Sequence, residues 1–373
     1  MSEATLVAVG DVAPDREDPR ECFSRTHDLL SSADFAFCQL ETSLADKGVR
    51  APQARHAVLT KPDVAPAMRE AGFTAVSFAG NHCLDWGNEA FFETIRNVTS
   101  AGMHVVGAGA NIGEARRPVI QEANGVRIAF LAYSTILPQA YWAEASRPGC
   151  APMRAHTVYE AIEHDQPGTP ARIHTFPHRE DLAAMCADIR AAKEQADVVA
   201  VSHHWGIHFV PYVLADYQPD VGRAAIDAGA DMVLGHHAHI LKGIEVYRGK
   251  PIFYSLCNFA TDLRMDEAHA SSKGFREIQK LAPRWEPDFG SLYNFPEDAR
   301  MSIAVRARLS KKGLGEVAVA PLWIDRDAIP TPLAPADARF RQVLDYLETC
   351  CRETGRDTRF RIAGDVAVIE GVG

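Results

Sequence analysis

Long apolar runs are missing from this chain. A membrane-spanning helix needs roughly 20 consecutive apolar residues, and the first apolar run, Leu6-Val7-Ala8-Val9, stops at Gly10-Asp11. The opening Met1-Ser2-Glu3-Ala4-Thr5 has no basic stretch ahead of that run, so neither a secretory signal nor a membrane anchor is expected, and the expected location is cytoplasmic. Cysteine is sparse and unpatterned. The 8 residues form no Cys-x-x-Cys, and the adjacent Cys350 and Cys351 are an awkward pair for a bridge. Reduced, buried thiols are the expectation. Positive charge is in deficit, with Lys+Arg 39 against Asp+Glu 49 and a formal net charge of -10 at pH 7. That balance argues against nucleic acid and against anionic membrane surfaces as partners. There is no internal repeat and no low-complexity segment.

What remains is ordinary globular composition, 47% hydrophobic and 24% charged over 373 residues, enough for one large α/β domain. Apolar runs such as 35–38, 74–78, 126–133 and 198–201 alternate with helical patterns such as 64–71, 88–101 and 181–195. That alternation predicts an α/β protein. A helix over 22–30, a strand over 251–256, a hairpin of 301–309 with 316–324, a helix over 338–353 and a last strand within 359–369 complete the reading. Two stretches, 138–177 and 261–300, lose periodicity and are expected to be irregular insertions that carry function. The domain expectation is one catalytic unit over 1–330, with 331–373 a C-terminal helix and strand extension packed on it.

One event recurs. An apolar run ends, and a metal-competent side chain follows at once: Asp11, Glu41, Asn81 with His82, His203 with His204, and His237 with His239. The densest case is Asp231-Met232-Val233-Leu234-Gly235-His236-His237-Ala238-His239, where Gly235 allows a sharp turn. If the chain stays extended there, His237 and His239 fall on one side. In layered α/β folds ligands gather at the carboxyl ends of strands. Carboxylate, amide and imidazole together suit a pair of borderline divalent ions, which can clamp a substrate oxygen and generate hydroxide at neutral pH. One Asp after a strand is commonly a turn former or helix cap; the joint pattern carries the reading.

Gly10-Asp11, Leu40-Glu41, Gly80-Asn81-His82 with Asp85-Trp86-Gly87, His204-Trp205-Gly206, Gly229-Ala230-Asp231, His237-Ala238-His239 and Tyr254-Ser255-Leu256-Cys257-Asn258-Phe259 form an ordered series. It resembles the motif series of the CapA family, named for poly-γ-glutamate capsule biosynthesis, within the calcineurin-like metallophosphoesterase superfamily. The resemblance implies a four-layer α-β-β-α sandwich with a dinuclear centre of divalent ions (Mn²⁺, Zn²⁺ or Fe). It implies Glu41 as the bridging carboxylate, Asp11 and His239 on one ion, and Asn81, His204 and His237 on the other. His82 takes the place of the general acid, oriented by Asp85. His203 and His236 are read as supporting or structural.

The chain departs from the family pattern in places. Asp11-Val12-Ala13 lacks the histidine of the phosphoesterases' first motif, His208 stands where the family has glutamate, Gln39 replaces an asparagine and Cys257 a glycine. The function expected is a cytosolic dinuclear metal-dependent hydrolase that cleaves an amide, γ-glutamyl or peptide-like, with His82 protonating the leaving group. Its partner is a small-molecule or peptide-like substrate. The alternatives are a phosphoesterase acting on a small phosphate ester and a non-catalytic partner in poly-γ-glutamate assembly. Arg147, Arg154, Arg264 and Arg276, within the two aperiodic stretches, are candidate clamps for a carboxylate or phosphate.

Overall fold

The structure is a computed structural model that describes residues 2–55 and 57–373. Two sheets dominate it. The larger is 10-stranded and runs Phe360–Ala363, Val366–Ile369, Gly313–Ile324, Met301–Ser310, Glu3–Ala13, Phe35–Leu40, Ala75–Ser77, His104–Val106. Asn258–Thr261 also pairs with Glu3–Ala13, and Pro330–Pro332 with Gly313–Ile324. The second is 6-stranded: Ile244–Tyr247, Lys250–Phe253, Met232–His236, Val198–His204, Val126–Ser134, Val119–Ala123.

The two sheets lie face to face. Phe37 of the first and Phe130 of the second stack with ring centroids 4.9 Å apart. Side-chain alternation sorts each strand between layers. Val198 and Ala200 point into the core between the sheets, while Val199 and Val201 point out to a second core. There they meet Met185 and Ile189 of helix Arg179–Lys193 and Val221 and Ala225 of helix Tyr217–Asp227. Helices Val64–Ala71 and Gly87–Ser100 pack Met68, Phe91 and Val98 onto the larger sheet. The result is the expected α-β-β-α sandwich. Strands covered on both faces read as unbroken apolar runs, and all of Phe35–Leu40 is buried.

Several local expectations are corrected. Residues 138–177 are not irregular throughout, because Ala155–Ala161 and Ala171–Pro177 form an antiparallel hairpin. Its residues are mostly exposed on both faces, so no inside-outside pattern marks it in the sequence. Residues 261–300 contain the helices Glu267–Ser271 and Lys273–Gln279. The helix expected over 22–30 is a 3₁₀ turn, Pro19–Phe23, followed by the short helix His27–Ser31. The strand expected over 251–256 is Lys250–Phe253, and a separate strand follows at Asn258–Thr261. The last strand is a hairpin turned at Gly364, whose φ is +64°. It joins the larger sheet through Ala367 and Val368, opposite Val319 and Ala318. Among the described residues no helix is long and apolar enough to cross a membrane.

Candidate metal centre

Parallel strands of both sheets deliver their carboxyl ends to one rim. Asp11 is inside strand Glu3–Ala13, at a register shift between Asp11 and Val12 in the pairing with Asn258–Thr261. Gly10 permits that pairing, since a Cβ there would lie 2.0 Å from the Cys257 carbonyl oxygen. Glu41 follows Phe35–Leu40, Asn81 and His82 follow Ala75–Ser77, and His204 closes Val198–His204. His237 and His239 follow Met232–His236, but the chain is not extended there: both have left-handed backbone, φ 84° and 55°. Extended geometry therefore does not explain their meeting. Tertiary contacts hold the unfavourable conformation. The His237 N–H donates to Asp11 Oδ2 at 3.1 Å, and His239 Nδ1 lies 2.8 Å from Asn258 Oδ1.

All six expected ligand residues gather. Glu41 Oε1 is 3.4 Å from His204 Nε2 and 3.8 Å from His239 Nε2, so the carboxylate sits between them. His204 Nε2 is 2.6 Å from Asn81 Oδ1. Glu41, His237 and His239 each offer a donor atom within 4.8 Å of the others. Asp11 lies 3.6 Å from His239 Nδ1 and 3.1 Å from His236 Nδ1, which places His236 directly against the carboxylate of an expected ligand.

The donor set fits divalent metal. Glu41 Oε1, His204 Nδ1 and His237 Nδ1 are buried without a hydrogen-bond partner, a state that costs stability unless something accepts their lone pairs. Burial drives His204 down to about 4 and His237 well below the usual histidine range, so both imidazoles are neutral at pH 7. Burial, reinforced by Asp11, lifts Glu41 to about 7. Burial would also lift Asp11, but the hydrogen bond and charge of His236 hold it below the ordinary carboxylate value. Neutral imidazoles beside carboxylates are what a cation needs. Asn258 supports this: its Oδ1 accepts from His239 Nδ1, which leaves the Nε2 lone pair on the Glu41 side. Tyr293 accepts from Asn258 Nδ2 at 2.8 Å and fixes the amide.

Beside Asn81, His82 Nδ1 lies 2.6 Å from Asp85 Oδ2, and the Tyr141 hydroxyl donates to Asp85 Oδ1 at 2.7 Å. Burial alone would depress His82, but the Asp85 hydrogen bond and the carboxylates of Glu41, Asp85 and Asp11 raise it above the usual value. Asn258 belongs to the Tyr254–Phe259 motif, which by itself gives it no role, and Tyr141 carries no signal in the sequence. His203, next to His204, turns its ring onto aromatic neighbours. It stacks between Tyr133 (5.7 Å) and Trp205 (4.6 Å), and burial drives it to about 3. His208 Nδ1 reaches 3.4 Å from His237 Nε2.

A cavity of about 760 Å³ opens on Glu41, Asn81, His82, Asp85, His237 and His239. The four candidate clamps are not in its wall. Arg147 is bonded to Glu144, Arg154 to Asp181, and Arg264 to the Asp15 carbonyl. Arg55 is the arginine among the described lining residues.

A family model described as bacterial capsule synthesis protein PGA_cap matches residues 5–263. The chain is 27% identical over 302 residues to the PGA biosynthesis protein CapA of Bacillus subtilis (strain 168), covering 81% of this chain and 62% of that protein. It is 32% identical over 202 residues to the capsule biosynthesis protein CapA of Bacillus anthracis, covering 54% of this chain and 43% of that protein. The matched region thus spans less than two thirds of either relative. Among solved structures, calcineurin-like phosphoesterase YfkN from Bacillus subtilis aligns over 95% of this chain and 98% of its own, at 12% identity and a TM-score of 0.39.

Proposed function

This chain belongs to the bacterial capsule synthesis protein family PGA_cap, and from that premise we propose that it is a metal-dependent hydrolase cleaving an amide bond. In this reading Glu41, with Asp11 and His239 on one side and Asn81, His204 and His237 on the other, would hold two divalent ions, Mn²⁺, Zn²⁺ or Fe. Such ions, when bound, supply Lewis acidity and lower the pKa of water. The protein's own part is the proton. Asp85 occupies His82 Nδ1, so the opposite ring nitrogen, Nε2, is the one that can give a proton to a departing amine. Tyr141 donates to the second Asp85 oxygen, so the carboxylate is held by both atoms and keeps the imidazole oriented.

The observation that carries the reading is this His82–Asp85–Tyr141 chain standing beside buried donor atoms that lack partners. A scaffold for polymer assembly, the reading favoured by the relatives' names, has no use for an oriented acid. The bond is the finer choice. Amine leaving groups need a proton, and the cavity wall brings one arginine among its described residues and much apolar surface, a poor lining for a free phosphate ester. The substrate is accordingly a small or peptide-like amide. The test compares kcat/KM on γ-glutamyl and acyl amides with that on aryl phosphate mono- and diesters, at equal metal loading. Turnover of the esters with no amide cleaved reverses the assignment.

A further inference from the structure

At one end of the cluster stands His82 with Asp85 and Tyr141. At the other stands His239, and two phenylalanine rings lie against it. Phe209 stacks at 5.4 Å and 21°, and Phe295 at 5.2 Å. Glu41 lies between the two ends, 3.4 Å from the His204 nitrogen that meets Asn81 and 3.8 Å from His239. Behind Phe209 is a small apolar cluster separate from the two main cores: Phe209, Met265, Phe275 and Trp285, with Ile278 packed on it. Trp285 sits 5.0 Å from both Phe209 and Phe275. All five line the cavity.

A cluster under a long excursion is often just a satellite core. Three observations set this one apart. Its residues face a cavity that ends on the candidate ligands. Phe209 carries left-handed backbone, φ 62°, which disfavours a bulky side chain, so its ring is held on His239 against local preference. The loop behind it is braced by Lys242, whose buried ammonium donates to the carbonyls of Val210 and Val213.

We infer that this pouch at the His239 end receives the acyl group of the scissile amide, so that the substrate class is amides with an aromatic or long aliphatic acyl portion. The inference rests on the amide reading and narrows it. The leaving amine must lie at the His82 end, where its proton comes from. The acyl side therefore faces Phe209 and Phe295. A γ-glutamyl acyl group brings a charged amine and carboxylate against Phe209, Met265 and Phe275, side chains that cannot compensate their desolvation. An apolar group gains by leaving water.

The test separates the pouch from the bond. Binding of acetohydroxamate and phenylacetohydroxamate to the Mn²⁺-loaded full-length protein is measured by calorimetry, and N-acetyl, N-phenylacetyl and γ-glutamyl amides of one amine are assayed in parallel. The phenyl compound is expected to bind at least about tenfold more tightly, since one methylene already discriminates 10-fold or more in an apolar site. Leu281 lines the pouch mouth and is 42% exposed, so Leu281→Asp is expected to keep the fold and to bring the preference toward unity. Equal affinity for the two hydroxamates, or binding of neither, overturns the pouch. A preserved phenyl preference with no amide cleaved leaves the pouch standing and removes the amide reading. Amide cleavage that favours γ-glutamyl keeps the bond and removes the pouch.

Discussion

The two excursions, 138–177 and 261–300, look alike in sequence and do opposite things. The second closes over the candidate centre: Phe275 is 2% exposed and Trp285 4%. The first reaches the site through Tyr141, which holds Asp85, and then leaves it. Its hairpin carries Tyr159 at 70% exposure and Ile173 at 58%. Absent periodicity therefore has two meanings. In one case aromatic side chains find each other and a wall. In the other they line a two-stranded ribbon, an arrangement of marginal stability on its own. Exposure, not local pattern, separates them.

The comparison breaks most completely at the centre both excursions flank. Glu41→Ala removes the carboxylate between His204 and His239, and on the proposed dinuclear reading both ions are expected to be lost together. Elemental analysis with unchanged stoichiometry would contradict the bridging role. His82→Asn is expected to keep metal and reduce turnover by about 10²–10⁴-fold. Loss of metal in that variant would show His82 to be a ligand. Asp85→Asn and Tyr141→Phe act through His82, so smaller losses are expected, and these measure what the first excursion contributes to chemistry.

Stability sharpens the contrast further. Trp285→Ala in the second excursion is expected to cost about 3–5 kcal/mol by urea denaturation, as for a large buried aromatic. An effect below 1 kcal/mol would mean the wall is loosely packed. At the base of the first excursion Arg154 pairs with Asp181 at 2.6 Å. Burial would raise Asp181, but its hydrogen bonds with Arg154 lower it below 3.8. A depressed carboxyl stabilises above its unfolded pKa and loses that contribution as pH falls through the folded value. Asp181→Asn should thus cost about 0.5–1 kcal/mol at pH 7, as for a partly exposed pair. The difference in Tm from the parent should shrink below about pH 3.8. A difference independent of pH would dissociate the pair from the stability. Tyr159→Ala, far out on the hairpin, should change stability by no more than about 0.5 kcal/mol.

Strand runs such as Phe35–Leu40 and Val198–His204 were legible because burial on both faces leaves a continuous apolar signature. The side chains that end them were legible for the same reason, since polar residues stand out against such runs. The hairpin at 155–177 was not, because exposure on both faces removes the inside-outside alternation that marks a strand. The candidate arginine clamps failed differently. Charge identifies Arg147 and Arg154 as able to bind anions, but their partners, Glu144 and Asp181, are chosen by the fold.

By itself the sequence determined the alternation of strand and helix and the six residues placed where apolar runs end. Both are local properties, written in side-chain period and chemical type. Tertiary structure alone decided how these side chains meet. His237 and His239 converge through left-handed backbone held by Asp11 and Asn258, residues 226 and 19 positions away along the chain. It also decided that Tyr141 serves Asp85, 56 residues earlier, and that Phe209 lies on His239. Contacts across such separations are set by the packing of one sheet against another, and no window of local sequence contains that information.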